Sequence, residues 1–193
     1  VFPLEKLNLF FAISISGIYF FAVLALNNKG KNLFRVSVFL ILGIWFVVFS
    51  DSEILKLIYR ILNFLFFFYL VFSLIKQVSS TKTVTVKVIV DSITGYLLLG
   101  FAYSLIVAMI SSKISGSYNT AYSVDFEKGM LEPLQENIYY TFMTFTTTGY
   151  GDIIPKLPIS KSLAVLISVS GQLYVAVIIA MLIGKYASKL KEE

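Results

Sequence analysis

Six consecutive residues, Thr147-Thr148-Gly149-Tyr150-Gly151-Asp152, carry the most specific chemistry in this chain. A cation crossing a bilayer must exchange its hydration shell for equivalent ligands. Backbone carbonyl oxygens can supply them when several in a row face one axis. An ordinary strand fails at this because its carbonyls alternate in direction. Turning them all one way needs positive φ at alternating positions, which glycine adopts at no steric cost. Gly149 and Gly151 fall at that alternation. Thr147, Thr148, Gly149 and Tyr150 would then offer rings of carbonyls, and the Thr147 hydroxyl one more ring at the inner end. Tyr150 would point away from the axis and pack behind the loop, holding its diameter.

Such irregular backbone is tolerated at membrane depth only when it is buried in protein or lines an aqueous path. The elements around it must therefore be membrane elements, and the composition agrees. Hydrophobic residues make up 58% of the 193 and charged residues 14%, against about 25% charged in ordinary soluble domains. Mean hydropathy is +0.84. Apolar runs near the ~20 residues that span a bilayer lie at about 7–26, 33–49, 54–76, 84–111 and 160–187. The expectation is an all-α integral membrane protein with about five spanning helices. Between the last two runs, Glu132-Pro133 opens a stretch too short to cross. Proline suits a first helical turn, and Glu132 and Glu136 suit the positive end of the dipole. This predicts a re-entrant helix over 134–147 whose negative C-terminal end aims at the 147–152 loop.

With these flanks the resemblance is specific. The segment resembles the pore of the tetrameric, pore-loop potassium channels, whose filter the general rule for carbonyl selectivity describes. The resemblance covers about 84–187 and implies potassium ions at Thr147, Thr148, Gly149 and Tyr150, with Gly151 completing the filter. Thr148 stands where many relatives carry valine, and Asp152 follows as it usually does. Tyr139 and Tyr140 stand where relatives often carry a tryptophan pair that forms a cuff around the filter. Met143 stands where some relatives carry a glutamate paired to the filter aspartate, so that carboxylate pair is absent and Asp152 is expected to bond Tyr140. One filter per chain implies a homotetramer with one pore. In the inner helix, 160–187, Gly171 is read as a gating hinge or as a close-packing site.

The resemblance divides the chain into membrane helices over 1–83 and a pore domain over 84–193, with outer helix 84–111, pore helix 134–147, filter 147–152 and inner helix 160–187. Voltage-gated relatives carry a ladder of arginines before the pore. Here Lys56 and Arg60 are followed by no basic residue until Lys76. A sensor-like region with weak voltage dependence is expected. Asp91, the one acid inside an apolar run, is a functional candidate as an intramembrane acid or an interfacial pair with Lys87 four residues earlier, and the pair is the favoured reading. Lys29, Lys31, Arg35, Lys76, Lys82, Lys87, Lys185, Lys189 and Lys191 fall on one side of the five runs, which the positive-inside rule makes cytoplasmic. The C-terminus is thus expected in the cytoplasm of a cell whose plasma membrane, bacterial inner membrane by the compact loops, holds the protein. Val1 falls outside, so an upstream helix or segment is expected to be missing.

Cysteine and histidine are absent, which excludes disulfides, zinc–sulfur sites, thiolate nucleophiles and the commonest general base. The net charge of +5 sits in the connections between apolar runs, so it describes topology and not a nucleic-acid partner. No cofactor and no soluble regulatory domain is expected; the partners are the bilayer and further copies of the chain. The competing readings are a non-selective cation channel, a potassium uptake transporter subunit and a membrane enzyme. The intact filter run, the single repeat and the missing catalytic side chains argue against them in turn.

Overall fold

The computed structural model describes residues 13, 16–20, 30–48, 52–81, 84–120 and 132–190. Among the described residues, 16–20 are helical, and after them come α1 (Gly30–Val48), α2 (Glu53–Ser80), α3 (Val86–Lys113), β1 (Tyr118–Thr120), α4 (Glu132–Phe145), β2 (Ile153–Pro155) and α5 (Pro158–Leu190).

Among the described residues three helices are long and apolar enough to cross a membrane: Leu57–Ser80, Val86–Lys113 and Pro158–Ala187. The expectation of five is thereby corrected. The run at 7–26 lies mostly outside the described residues. α1 is 19 residues long, and its described apolar stretch is Phe34–Gly43. Ten residues rise about 15 Å, half the hydrocarbon thickness, so this stretch does not join the three spans. The described residues are mostly helical, with one small addition that the sequence did not indicate. β1 and β2 pair antiparallel, with Tyr118 opposite Pro155, Asn119 opposite Ile154 and Thr120 opposite Ile153.

α3 is the hub of the architecture. Thr85 lies in extended backbone before it and its hydroxyl accepts from Val88 N, which starts the helix cleanly. On one side α3 meets α2 through aromatic packing: Phe67 stands edge-on to Phe101 at 4.8 Å. Tyr19 completes that cluster, stacked on Phe66 at 5.5 Å. On the other side α3 holds α4 and α5 around buried Phe145, Ile167 and Val107. Aromatic pairs in offset or edge geometry add roughly 0.5–1.5 kcal/mol beyond their area, so this seam fixes α3 against α2.

The α2–α3 joint is polar. Asp91 is buried, accepts from Gln77 Nε2 at 2.6 Å and pairs with Lys87 at 3.3 Å, the interfacial pair expected from their spacing. Nearby, Lys185 near the end of α5 donates to the Val78 and Ser79 carbonyls at the C-terminal end of α2. A cation at a helix C-terminus meets the negative end of the dipole. The C-terminal end of α5 and the α2–α3 linker therefore lie at the same end of the molecule.

Candidate functional site

The segment read above as the pore begins with α4, which starts two residues before the expected 134 and stops at Phe145, two residues before the expected 147. The early stop has a local cause. Thr147 takes φ 61°, which no α-helix accommodates. The chain instead turns back: Thr146 N donates to Phe142 O at 2.9 Å, Thr147 N to Thr144 O at 3.1 Å and Gly149 N to Met143 O at 3.0 Å. These bonds satisfy carbonyls that the end of α4 leaves open.

Beyond the turn the backbone alternates. Positive φ falls at Thr147 (61°), Gly149 (56°) and Gly151 (81°), with Thr148 and Tyr150 on the ordinary side. The sequence accounts for two of the three. Thr147 is the third, and a left-handed non-glycine residue costs about 1–2 kcal/mol. Its hydroxyl donates to the Thr146 carbonyl at 2.6 Å, while the Thr146 and Thr148 hydroxyls share a bond of 2.9 Å. The loop is thus held from within by threonine side chains. Thr146 to Gly151 are all exposed in the single chain, Tyr150 by 71%.

Asp152 closes the run. Its Oδ2 accepts from the Tyr139 hydroxyl at 2.7 Å and its Oδ1 from Ile153 N at 3.1 Å. The Tyr139 bond, more than the backbone ones, holds the carboxyl below the usual carboxylate range. The expected partner was Tyr140; the structure has Tyr139 in that place. Tyr140 faces the other way, buried against Tyr118 with rings 4.9 Å apart in an edge arrangement. Met143 is half-buried and enters through its carbonyl alone. Just past Asp152 the chain enters β2, whose ladder with β1 anchors the outer leg to the end of α3. Ser117 O reinforces this by accepting from Lys156 N at 2.9 Å and Ser160 Oγ at 2.7 Å. Three-residue strands carry no usable alternation, so this anchor has no sequence signal.

The inner side is set by α5, which runs unbroken through Gly171. A Cβ at Gly171 would overlap the Phe145 carbonyl oxygen and lie 3.0 Å from Phe145 Cδ2. The end of α4 therefore sits directly on that glycine. One turn before, Ser168 Oγ donates to Thr144 O at 3.4 Å, and Ser170 shares a bond of 2.7 Å with Tyr103 of α3. One residue after, Gln172 Nε2 approaches Thr147 Oγ1 at 3.5 Å. Among the described residues no group of three or more His, Cys, Asp or Glu is placed to hold a metal ion.

Three long apolar helices and a short helix ending on an irregular, threonine-rich loop define a helical, membrane-embedded protein. The chain belongs to the ion-channel family: the family model described as "Ion channel" matches residues 83–188, more than half of its length. It is an ion-conducting protein and not an enzyme. No curated protein and no solved structure matches it.

Proposed function

We propose that this chain is one subunit of a potassium-selective channel in which four copies surround one pore, each lending the 147–152 segment to a common filter. The observation that carries the reading is the positive φ at Thr147, Gly149 and Gly151 within Thr-Thr-Gly-Tyr-Gly. Reversing every second residue turns neighbouring carbonyls toward one side, and four such legs can replace a cation's water shell. Potassium then resides at Thr147, Thr148, Gly149 and Tyr150, with Asp152, Tyr139, Tyr140 and Met143 as the support behind. Lys76, Lys87 and Lys185 belong to the end of the molecule where α2 finishes, α3 starts and α5 finishes, and that end is cytoplasmic by the positive-inside rule. The opposite end, where α4 starts and Glu136 lies in its second turn, faces outside the plasma membrane.

Steep voltage gating needs about three or four moving charges per subunit. The α2 sequence offers Lys56 and Arg60 and then no basic residue until Lys76; the side chains of Lys56 and Arg60 lie outside the described residues. Conductance is therefore weakly voltage-dependent. The test is a planar-bilayer recording with potassium on one side and sodium on the other, read across voltage. The expected result is a reversal near the potassium equilibrium potential with a shallow conductance–voltage curve. Changing Gly149 or Gly151 to alanine, which costs about 1–2 kcal/mol per left-handed residue, should abolish the selectivity. Reversal near zero in the unaltered protein would make it a non-selective cation channel, and a steep curve would overturn the voltage reading.

A further inference from the structure

The Thr147 hydroxyl is the innermost oxygen of the run, and its bonds can be counted. A threonine hydroxyl has one proton to donate and two lone pairs that accept. The proton is committed: Thr147 Oγ1 donates to Thr146 O at 2.6 Å. Any polar group that approaches the oxygen from elsewhere must therefore be a donor. Gln172 approaches at 3.5 Å, the long end of hydrogen bonding, and only its Nε2 can serve, because its Oε1 would meet a lone pair. The orientation of this amide follows from the chemistry of its partner.

The register that brings Gln172 there is fixed independently. Ser168, Gly171 and Gln172 share one face of α5, since positions three and four apart align on a helix. Ser168 reaches Thr144 O, Gly171 seats the Phe145 carbonyl and Gln172 meets Thr147, so successive contacts follow successive residues at the end of α4. Tyr103 fastens the same turn from α3 through Ser170.

We infer that Gln172 is a positioning residue that sets ion release from the pore: its amide N–H occupies one lone pair of the Thr147 hydroxyl and weakens cation binding at the innermost ring. This rests on the filter reading above. Of two lone pairs one remains for a permeant ion, and the positive end of an N–H dipole stands beside it. Four such donors around the axis make the last site shallow, so that an ion leaves it readily for the wide part of the pore. Conduction needs binding strong enough to admit an ion and weak enough to release it. Gln172 acts on the release.

The probe is barium, which has nearly the size of potassium and twice its charge, so it lodges where potassium is held and leaves slowly. Single-channel block by trace barium is recorded for the unaltered protein, Q172L and Q172E, with the ion added to each side in turn. Q172L removes the donor from every subunit at nearly constant size and is expected to lengthen the blocked dwell at least about five-fold, the effect of losing one ordinary hydrogen bond. Q172E, which replaces the N–H by a carboxylate, should lengthen it further. Q172N shortens the reach of the amide and should act as Q172L does, which covers a variant that fails to assemble. The potassium–sodium reversal should stay where it was in all of them. Dwells that are unchanged or shortened in potassium-selective variants would overturn the inference. An unaltered protein without potassium preference would overturn the function proposed above and this inference with it, and it shows before any variant is made.

Discussion

At the scale of single residues, Asp152 and Tyr139 give the most direct handle on the outer end of the filter. The Tyr139 hydroxyl is the main reason the Asp152 carboxyl is held below the usual carboxylate range. A group whose native pKa is lowered stabilises the native state above its unfolded value, and that support is lost as pH falls through the native value. The unaltered channel should therefore keep its open filter into acid below the usual carboxylate range. In Y139F the largest cause of the lowering is gone, so the loss should begin within that range, at higher pH. Open probability recorded while the filter's outer side is acidified checks this, and identical acid profiles would mean that the bond has no part in holding the filter. Which tyrosine bonds Asp152 was beyond the sequence for a geometric reason. Neighbouring residues on a helix point about 100° apart, and only the rotation of α4 about its own axis decides which of the two faces the loop. That rotation comes from tertiary packing, chiefly Tyr140 against Tyr118. Gly149 and Gly151, by contrast, were legible as sites of positive φ, because glycine pays no steric penalty there. Thr147 was not, since its left-handed turn depends on bonds that threonine makes only in this setting.

At the scale of elements, the short helix α4 was legible because Glu132-Pro133 marks a start and the stretch after it is too brief to cross. Its seat on α5 was not, since nothing in a run of apolar residues says where two helices touch. Gly171 makes the difference measurable. Replacing a mid-helix glycine by alanine gains about 1 kcal/mol of helix propensity, and a hinge would be stiffened with no other harm. Here the added methyl would meet the Phe145 carbonyl, and overpacking of that kind costs about 1–3 kcal/mol. The two readings have opposite signs. We expect the clash to win: G171A should lower the thermal stability of the detergent-solubilised protein and disturb ion selection, because the displaced group is the last residue of α4. A G171A protein at least as stable as the original, selective and altered only in gating, would favour the hinge. The β1–β2 ladder belongs to the same scale. It ties the chain after Asp152 to the end of α3, so the outer leg of the proposed filter is anchored to α3 and not to α4 alone.

At the scale of the whole molecule, the exposure of Thr146 to Gly151 is the fact to explain. Irregular backbone facing lipid within the hydrocarbon region does not occur, because each unsatisfied polar group there costs several kcal/mol. These residues must therefore meet protein and water, and a single chain supplies neither around the loop. α5 has the same difficulty in apolar form: Val165, Leu166, Val169, Leu173 and Val177 are all exposed. Lipid can cover part of such a helix; in the proposed assembly the part beside the filter turns toward other copies. Each copy carries one loop, and a loop offers ligands on one side of an ion only. Repeating the same contact around an axis closes a ring of identical legs, the arrangement that heterologous interfaces produce when the rotation closes. Four legs complete the cage proposed for potassium. Intact-mass measurement of the detergent-extracted assembly should find four copies of the chain. Two or three copies would leave the carbonyl cage open, and the filter reading would then fail at its geometry even if the loop itself were formed as described.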